Sequence, residues 1–188
     1  MTKPTVVEHR TNIRGLLSEA SQDKFTDAEV DANLANALYT LAGYVVKLAK
    51  VTKTGLTTGQ TVVDLVADCP AESVVEVLPS GGTAATEFRP RGTELVLKNQ
   101  VGATSADFYY RAAYTHDGTN TDWYPPNYRG AVCMLAAAYC LLGRQKELAE
   151  IDSLKANAIA TTANRMFDTA IAIMSNKPAS TTTYGRSY

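Results

Sequence analysis

Little in this chain is of the kind that staples, anchors or strongly charges a protein. Cysteine occurs only at Cys69, Cys133 and Cys140 in 188 residues. That is too few, and wrongly spaced, for a disulfide framework or a zinc site. Cys133 and Cys140 stand seven apart, share a helix face and read as small buried apolar residues, which suits a reducing, cytosolic setting. No run approaches the ~20 apolar residues of a membrane span, so no membrane partner is expected. MTKPTVVEHR has no apolar core and no cleavage site, so it is not expected to be a signal peptide. Neither sign of charge is in excess: 18 basic residues face 19 acidic ones, for a net charge of −1. A general nucleic-acid or anionic-surface binder needs a basic surplus. Histidine is found only at His9 and His116. There is no Walker loop, dinucleotide fingerprint, HExxH or nucleophile elbow.

What the chain does have is helical periodicity, and its longest apolar-periodic stretch runs from Pro126 to Met174. Ala131, Leu135, Ala138 and Leu142 fall at alternating steps of four and three, one stripe of a helix. Gly143 interrupts. The pattern then resumes through Leu148, Ile151, Leu154, Ala158, Thr162, Met166, Ala170 and Ile173. As one helix it would extend about 70 Å, more than a small domain's diameter. It must fold back near Gly143 or lie against something larger than its own chain. Pro126 suits a helical first turn.

Two helices are expected earlier. Val6 to Ala20 places Val6, Ile13, Leu16, Leu17 and Ala20 on one face, with Gly15 costing roughly 1 kcal/mol relative to alanine. Thr26-Asp27-Ala28-Glu29 is a capping box, in which each side chain satisfies an orphaned backbone N–H, and Phe25 before it could staple to Val30. The helix that follows, through Leu34, Ala37, Leu38, Leu41, Val45 and Leu48, is expected to end near Lys50. Lys47, Lys50 and Lys53 there suit the negative end of the helix dipole.

From Val51 the character changes. Gly55, Gly59, Gly81, Gly82, Gly92, Gly102 and Gly118 punctuate short β-rich runs: 61–66, 73–78, 87–89, 94–98 and 108–114. Alternation within these runs and the glycine turns between them predict a small antiparallel sheet. The fold class is α+β: a helical bundle of about four helices with a small antiparallel β-domain inserted between the second and third. The expected divisions are 1–54 for the first helices, 55–120 for the inserted sheet, 121–175 for the long closing helices, and 176–188 for a polar C-terminal arm.

Candidate chemistry is thin. His116-Asp117 sits in a glycine-containing loop and reads first as a solvated turn. Gly81-Gly82 lacks the lysine and helix start that cradle phosphate. Asp64, Asp68, Glu72 and Glu76 form an acidic series without the ligand spacing of a calcium loop. Arg89-Pro90-Arg91 is too small for nucleic-acid recognition alone. No catalytic, cofactor-binding or metal residues are assigned. The densest aromatic cluster, Asp122-Trp123-Tyr124-Pro125-Pro126-Asn127-Tyr128, reads as a lid over the helix–sheet junction or as an inter-subunit or partner contact. Trp123 and Tyr124, with Tyr184, Arg186 and Tyr188 of the arm, are the candidate partner-contact residues.

The order of parts resembles a family. A capped helix (FTDAEVDANLANAL), an inserted β-domain, and a YPPNYRGAVCMLAAAYCLLGR helix are similar to the head-to-tail adaptor, or connector, proteins of tailed bacteriophages, over roughly Ile13 to Ala172. The resemblance implies a structural virion protein of the neck, assembled in the host cytoplasm. It implies a homo-oligomeric ring, usually dodecameric, docked beneath the portal protein and offering a platform to tail nozzle or tail tube proteins. Double-stranded DNA would pass through the lumen without sequence-specific binding. Such a ring's lumen is expected to be net negative, because dense lysine and arginine would trap phosphates. The arm would reach into a neighbouring component. Two alternatives stay open: a tail-completion or other neck ring protein, and, from another class, a small α+β enzyme or ligand-binding module using Tyr114, His116 and Asp117.

Overall fold

The computed structural model describes residues 3–17, 25–57, 61–65, 69–79, 85–98 and 104–176. The coarse α+β class holds. Two compact units divide the chain: Met1–Val45 with Tyr114–Tyr188, and Val46–Ala113.

The first unit is helical, with α1 (Val6–Leu16), α2 (Asp27–Ala42), α3 (Arg129–Leu148) and α4 (Ser153–Ser175). The Thr26 capping box forms as its spacing predicts: the Glu29 N–H donates to Thr26 Oγ1 at 3.2 Å, and the Thr26 N–H donates to Glu29 Oε2 at 2.6 Å. Helix α1 carries the same device, with Thr5 and Glu8 at 3.2 and 3.0 Å. Thr5-Val6-Val7-Glu8 has the signature too, and the expectation for this helix did not use it. Phe25 packs against the edge of the same core that buries Val30.

Helix α2 does not reach Lys50. It stops at Ala42, where the Tyr44 and Val45 N–H groups turn back onto the Leu41 carbonyl at 2.9 and 2.8 Å. Val45 and Leu48 happen to continue the helical phase. Lys47–Thr54 nonetheless alternates half-buried and exposed along a strand, and an eight-residue antiparallel ladder supplies every backbone group facing it with a partner.

The long closing stretch is also corrected. It breaks at 149–152 rather than at Gly143, which lies inside α3. Asp152 accepts from the Lys155 N–H at 3.0 Å and so caps a fresh helix. A Cβ on Gly143 would meet nothing within 4 Å, so the glycine weakens α3 without ending it.

After that break α3 and α4 pack on each other. Helix α3 buries Ala131 to Ala138, save Met134, together with Cys140. Helix α4 buries Ala156, Ala163 and Ala170, a small residue at each seventh position, and Met174. Ile159, Met166 and Ile173 are half-buried in the same seven-residue rhythm. Alanine along the seam lets two backbones approach closely, and Tyr139 meets Phe167 edge-on with ring centroids 6.1 Å apart.

The second unit holds two three-stranded antiparallel sheets where one was expected. Its strands are β1 (Lys47–Thr54), β2 (Val62–Asp64), β3 (Val74–Pro79), β4 (Phe88–Arg91), β5 (Glu94–Leu97) and β6 (Ser105–Ala112). One sheet has the order β1-β6-β3, the other β2-β5-β4. Val63, Leu65, Val77, Leu95, Leu97 and Phe108 share one core. That core explains the alternation in the strands: inward positions are apolar, while Glu76, Glu94 and Lys98 lie on less enclosed positions. Gly92 turns β4 into β5 at φ 61°, a conformation that glycine adopts without strain. Gly81-Gly82, Asp68 and the arm residues Tyr184, Arg186 and Tyr188 lie outside the described residues.

Candidate functional site

The most enclosed polar group in the described chain is His9, on the inner face of α1. Its Nδ1 lies 2.8 Å from the Thr5 carbonyl, and its Nε2 lies 2.6 Å from the Tyr124 hydroxyl. A carbonyl only accepts, so Nδ1 carries the proton and Nε2 accepts from the tyrosine. Both ring nitrogens are therefore in use. Burial lowers the His9 pKa, against a smaller opposing push from the Thr5 carbonyl. Burial likewise drives the Tyr124 hydroxyl upward. The pair is neutral, and its geometry suits holding α1 against the segment that leads into α3. Tyr114 stacks edge-on against Tyr124, with centroids 5.9 Å apart.

This placement corrects the expectation for Tyr124. It is 1% exposed, its hydroxyl already has a partner, and in this unit it packs the core instead of offering a contact. Trp123, one residue earlier, faces out at 45% exposure. It is the one candidate contact residue that the described structure leaves accessible. The histidine was missed in the sequence because its partner stands 115 positions away, and no local pattern marks such a pair.

Tyr114, His116 and Asp117 do not converge on a reacting centre. Tyr114 is buried. His116 Nε2 donates to the Asp31 carbonyl at 3.2 Å, and the Gly118 N–H donates to its Nδ1 at 3.3 Å. Asp117 accepts from the Asn120 and Thr119 N–H groups at 2.7 and 2.8 Å, which lowers its pKa. It is an Asx turn. Among the described residues no group of three or more His, Cys, Asp or Glu is placed to hold a metal ion, and no helix is long and apolar enough to cross a membrane.

Charge is instead spent on joining helices. Arg10 of α1 grips Asp31 of α2 through Nε at 2.7 Å and Nη2 at 2.5 Å, and reaches Asp27 at 2.9 Å. Arg14 meets Asp27 at 2.8 Å. A two-pronged guanidinium–carboxylate pair fixes orientation as well as distance, so α1 is keyed to α2.

A further feature of the helical unit is an open cleft of about 400 Å³ between α1 and the start of α3. Thr11, Gly15 and Leu16 form one wall; Gly130, Cys133 and Met134 form the other, with Asn12 and Arg129 completing the lining. A Cβ on Gly15 or Gly130 would meet nothing within 4 Å, so the two glycines open the cleft. Cys133 is 2% exposed and free. Burial pushes its thiol up to about 11, so it stays protonated and is a poor nucleophile. The cleft therefore offers mainly apolar surface with the Arg129 cation at the rim. Comparison with protein-family models and with curated proteins gives no match in either case.

Proposed function

We propose that this chain is a structural component of a bacteriophage neck: a head-to-tail adaptor that forms a ring beneath the portal, extends the DNA channel and gives the tail its platform. The finer architecture belongs to the same reading, a bundle of about four helices with a small β-domain inserted between the second and third. The observation that carries it is the order of elements: a capped α2, then six strands, then a Tyr-Pro-Pro lead-in to an alanine-rich α3. That order is the one the resembling family implies. The reading is further supported by where the polar groups of the described residues go. His9, Arg10, Asp31 and Asp117 are engaged in holding elements together, while large apolar side chains remain outside.

The test is mass in solution with and without the cognate portal ring. The adaptor reading expects subunits to assemble on the portal in a fixed multiple, even if they are monomeric alone, because an ordering cost can be met on binding. Removing 178–188 is expected to leave folding intact and weaken docking. A small fixed oligomer indifferent to the portal overturns the reading. So does a strongly basic lumen in the assembled ring.

A further inference from the structure

Two features at opposite ends of α3 are complementary. At its start is the cleft between α1 and α3, apolar between Leu16 and Met134 and deepened by Gly15 and Gly130. Just beyond its end, the 149–152 turn and the first turn of α4 present Ile151 and Leu154 at 81% and 83% exposure. These are the two most exposed large apolar side chains among the described residues. The segment that carries them is firmly built. The Ile151 and Asp152 N–H groups donate to the Leu148 carbonyl at 3.0 and 2.8 Å, and Asp152 caps α4.

The charges match as well. Glu150 and Asp152 flank the apolar tip. The cleft is rimmed by Arg129, which pairs with Glu8 at 3.4 Å, both side chains being partly exposed; such a pair contributes little. The cleft also lies at the N-terminus of α3, whose first turn holds no acidic residue. The positive end of that helix dipole favours an incoming carboxylate.

Tip and cleft cannot meet within one chain. The 20 residues of α3 separate them by about 30 Å at the usual helical rise. A knob and a hole at opposite ends of a rigid element make a head-to-tail contact, which repeats into a ring when the rotation between copies closes and into an open filament when it does not. We propose that the Ile151–Leu154 tip of one copy inserts into the α1–α3 cleft of the next. The inference deepens the adaptor reading, and rests on it for the expectation that copies meet in a ring.

Sedimentation equilibrium of the full chain over a wide concentration range tests the contact. Wild type is expected to associate. Leu154→Asp, which spoils the tip, is expected to weaken association about tenfold or more. Gly130→Trp, which fills the cleft, is expected to do the same, and Gly15→Leu on the opposite wall serves as a second filler. Circular dichroism melting checks that each variant folds. The decisive arm mixes Leu154→Asp with Gly130→Trp. The first keeps a sound cleft and the second a sound tip, so together they are expected to form a species of twice the single-chain mass and no larger. Wild type that stays monomeric throughout overturns the contact. Association unaffected by Leu154→Asp overturns it too, and leaves the ring reading standing on another surface. Association lost on removing 177–188 but not in Leu154→Asp assigns the cleft to that segment and also overturns the contact. If the contact behaves as expected but the protein ignores a portal ring, the adaptor reading fails while the contact stands.

Discussion

Helices α3 and α4 come from one long periodic stretch, yet they meet very different surroundings. Helix α3 packs against α1, α2 and α4, and much of its first half is buried. Helix α4 is longer, buries little beyond Ala156, Ala163, Ala170 and Met174, and leaves its far face to solvent. Apolar periodicity alone does not distinguish a central helix from an outer one. Burial does: α3 encloses Ala136, Ala137 and Ala138 in succession, as a helix with neighbours on several sides must, whereas of the six alanines of α4 only Ala156, Ala163 and Ala170, seven apart, are buried, which suits one seam. Of the two outcomes that the length of the stretch allowed, folding back is the one realised, at 149–152 instead of near Gly143. Helix α3 is enclosed by its own unit, and α4 keeps a free face.

The sharpest way to break this contrast is truncation. Leu135→Ala in α3 removes a fully buried side chain and is expected to lower stability by about 3 kcal/mol. Leu154→Ala in α4 is expected to change it by less than about 0.5 kcal/mol. Urea unfolding monitored by circular dichroism compares the two, and equal losses would dissolve the distinction.

A second test concerns how α1 and the lead-in to α3 are fastened. Tyr124→Phe leaves His9 Nε2 buried without its donor and is expected to cost about 1–3 kcal/mol. The His9 pKa is lowered in the folded state, so folding favours the neutral ring. Its contribution is fully present above the unfolded value near 6.5. It declines as pH falls from there through the folded pKa, because the unfolded chain then binds more protons. Urea midpoints are expected to fall between pH 7.5 and 5 in wild type, and to fall less in His9→Gln. An identical slope in the two proteins would show that this histidine does not couple folding to protons.

The smallest effect is expected at Gly143. Its open helical site makes Gly143→Ala stabilising by up to about 1 kcal/mol. A loss there would mean that α3 needs the glycine after all.

Local chemistry was the legible part of the fold. The Thr26–Glu29 box and the alternating strands are short-range signals, and both are realised. Errors arose where two local signals competed. Val45 and Leu48 kept a helical phase through what is strand β1, and the ladder to β6 decided the outcome. At the turn between α3 and α4, Gly143 was the louder breaker, but Asp152 with its side-chain cap ended the run. The candidate site was least legible. His9 and Tyr124 are brought together only by the fold, and the α1–α3 cleft depends on glycines that look like blemishes in the sequence.

The seven-residue spacing of Ala156, Ala163 and Ala170 has a geometric consequence. A straight α-helix drifts about 20° per heptad from such a seam, so a helix that keeps the seam in contact winds left-handed around its partner. Over the two heptads from Ala156 to Ala170 the correction amounts to about 40°. Such winding is expected to turn the far end of α4 around α3, and a change of one alanine in that ladder is expected to shift where Met174 and Ser175 lie.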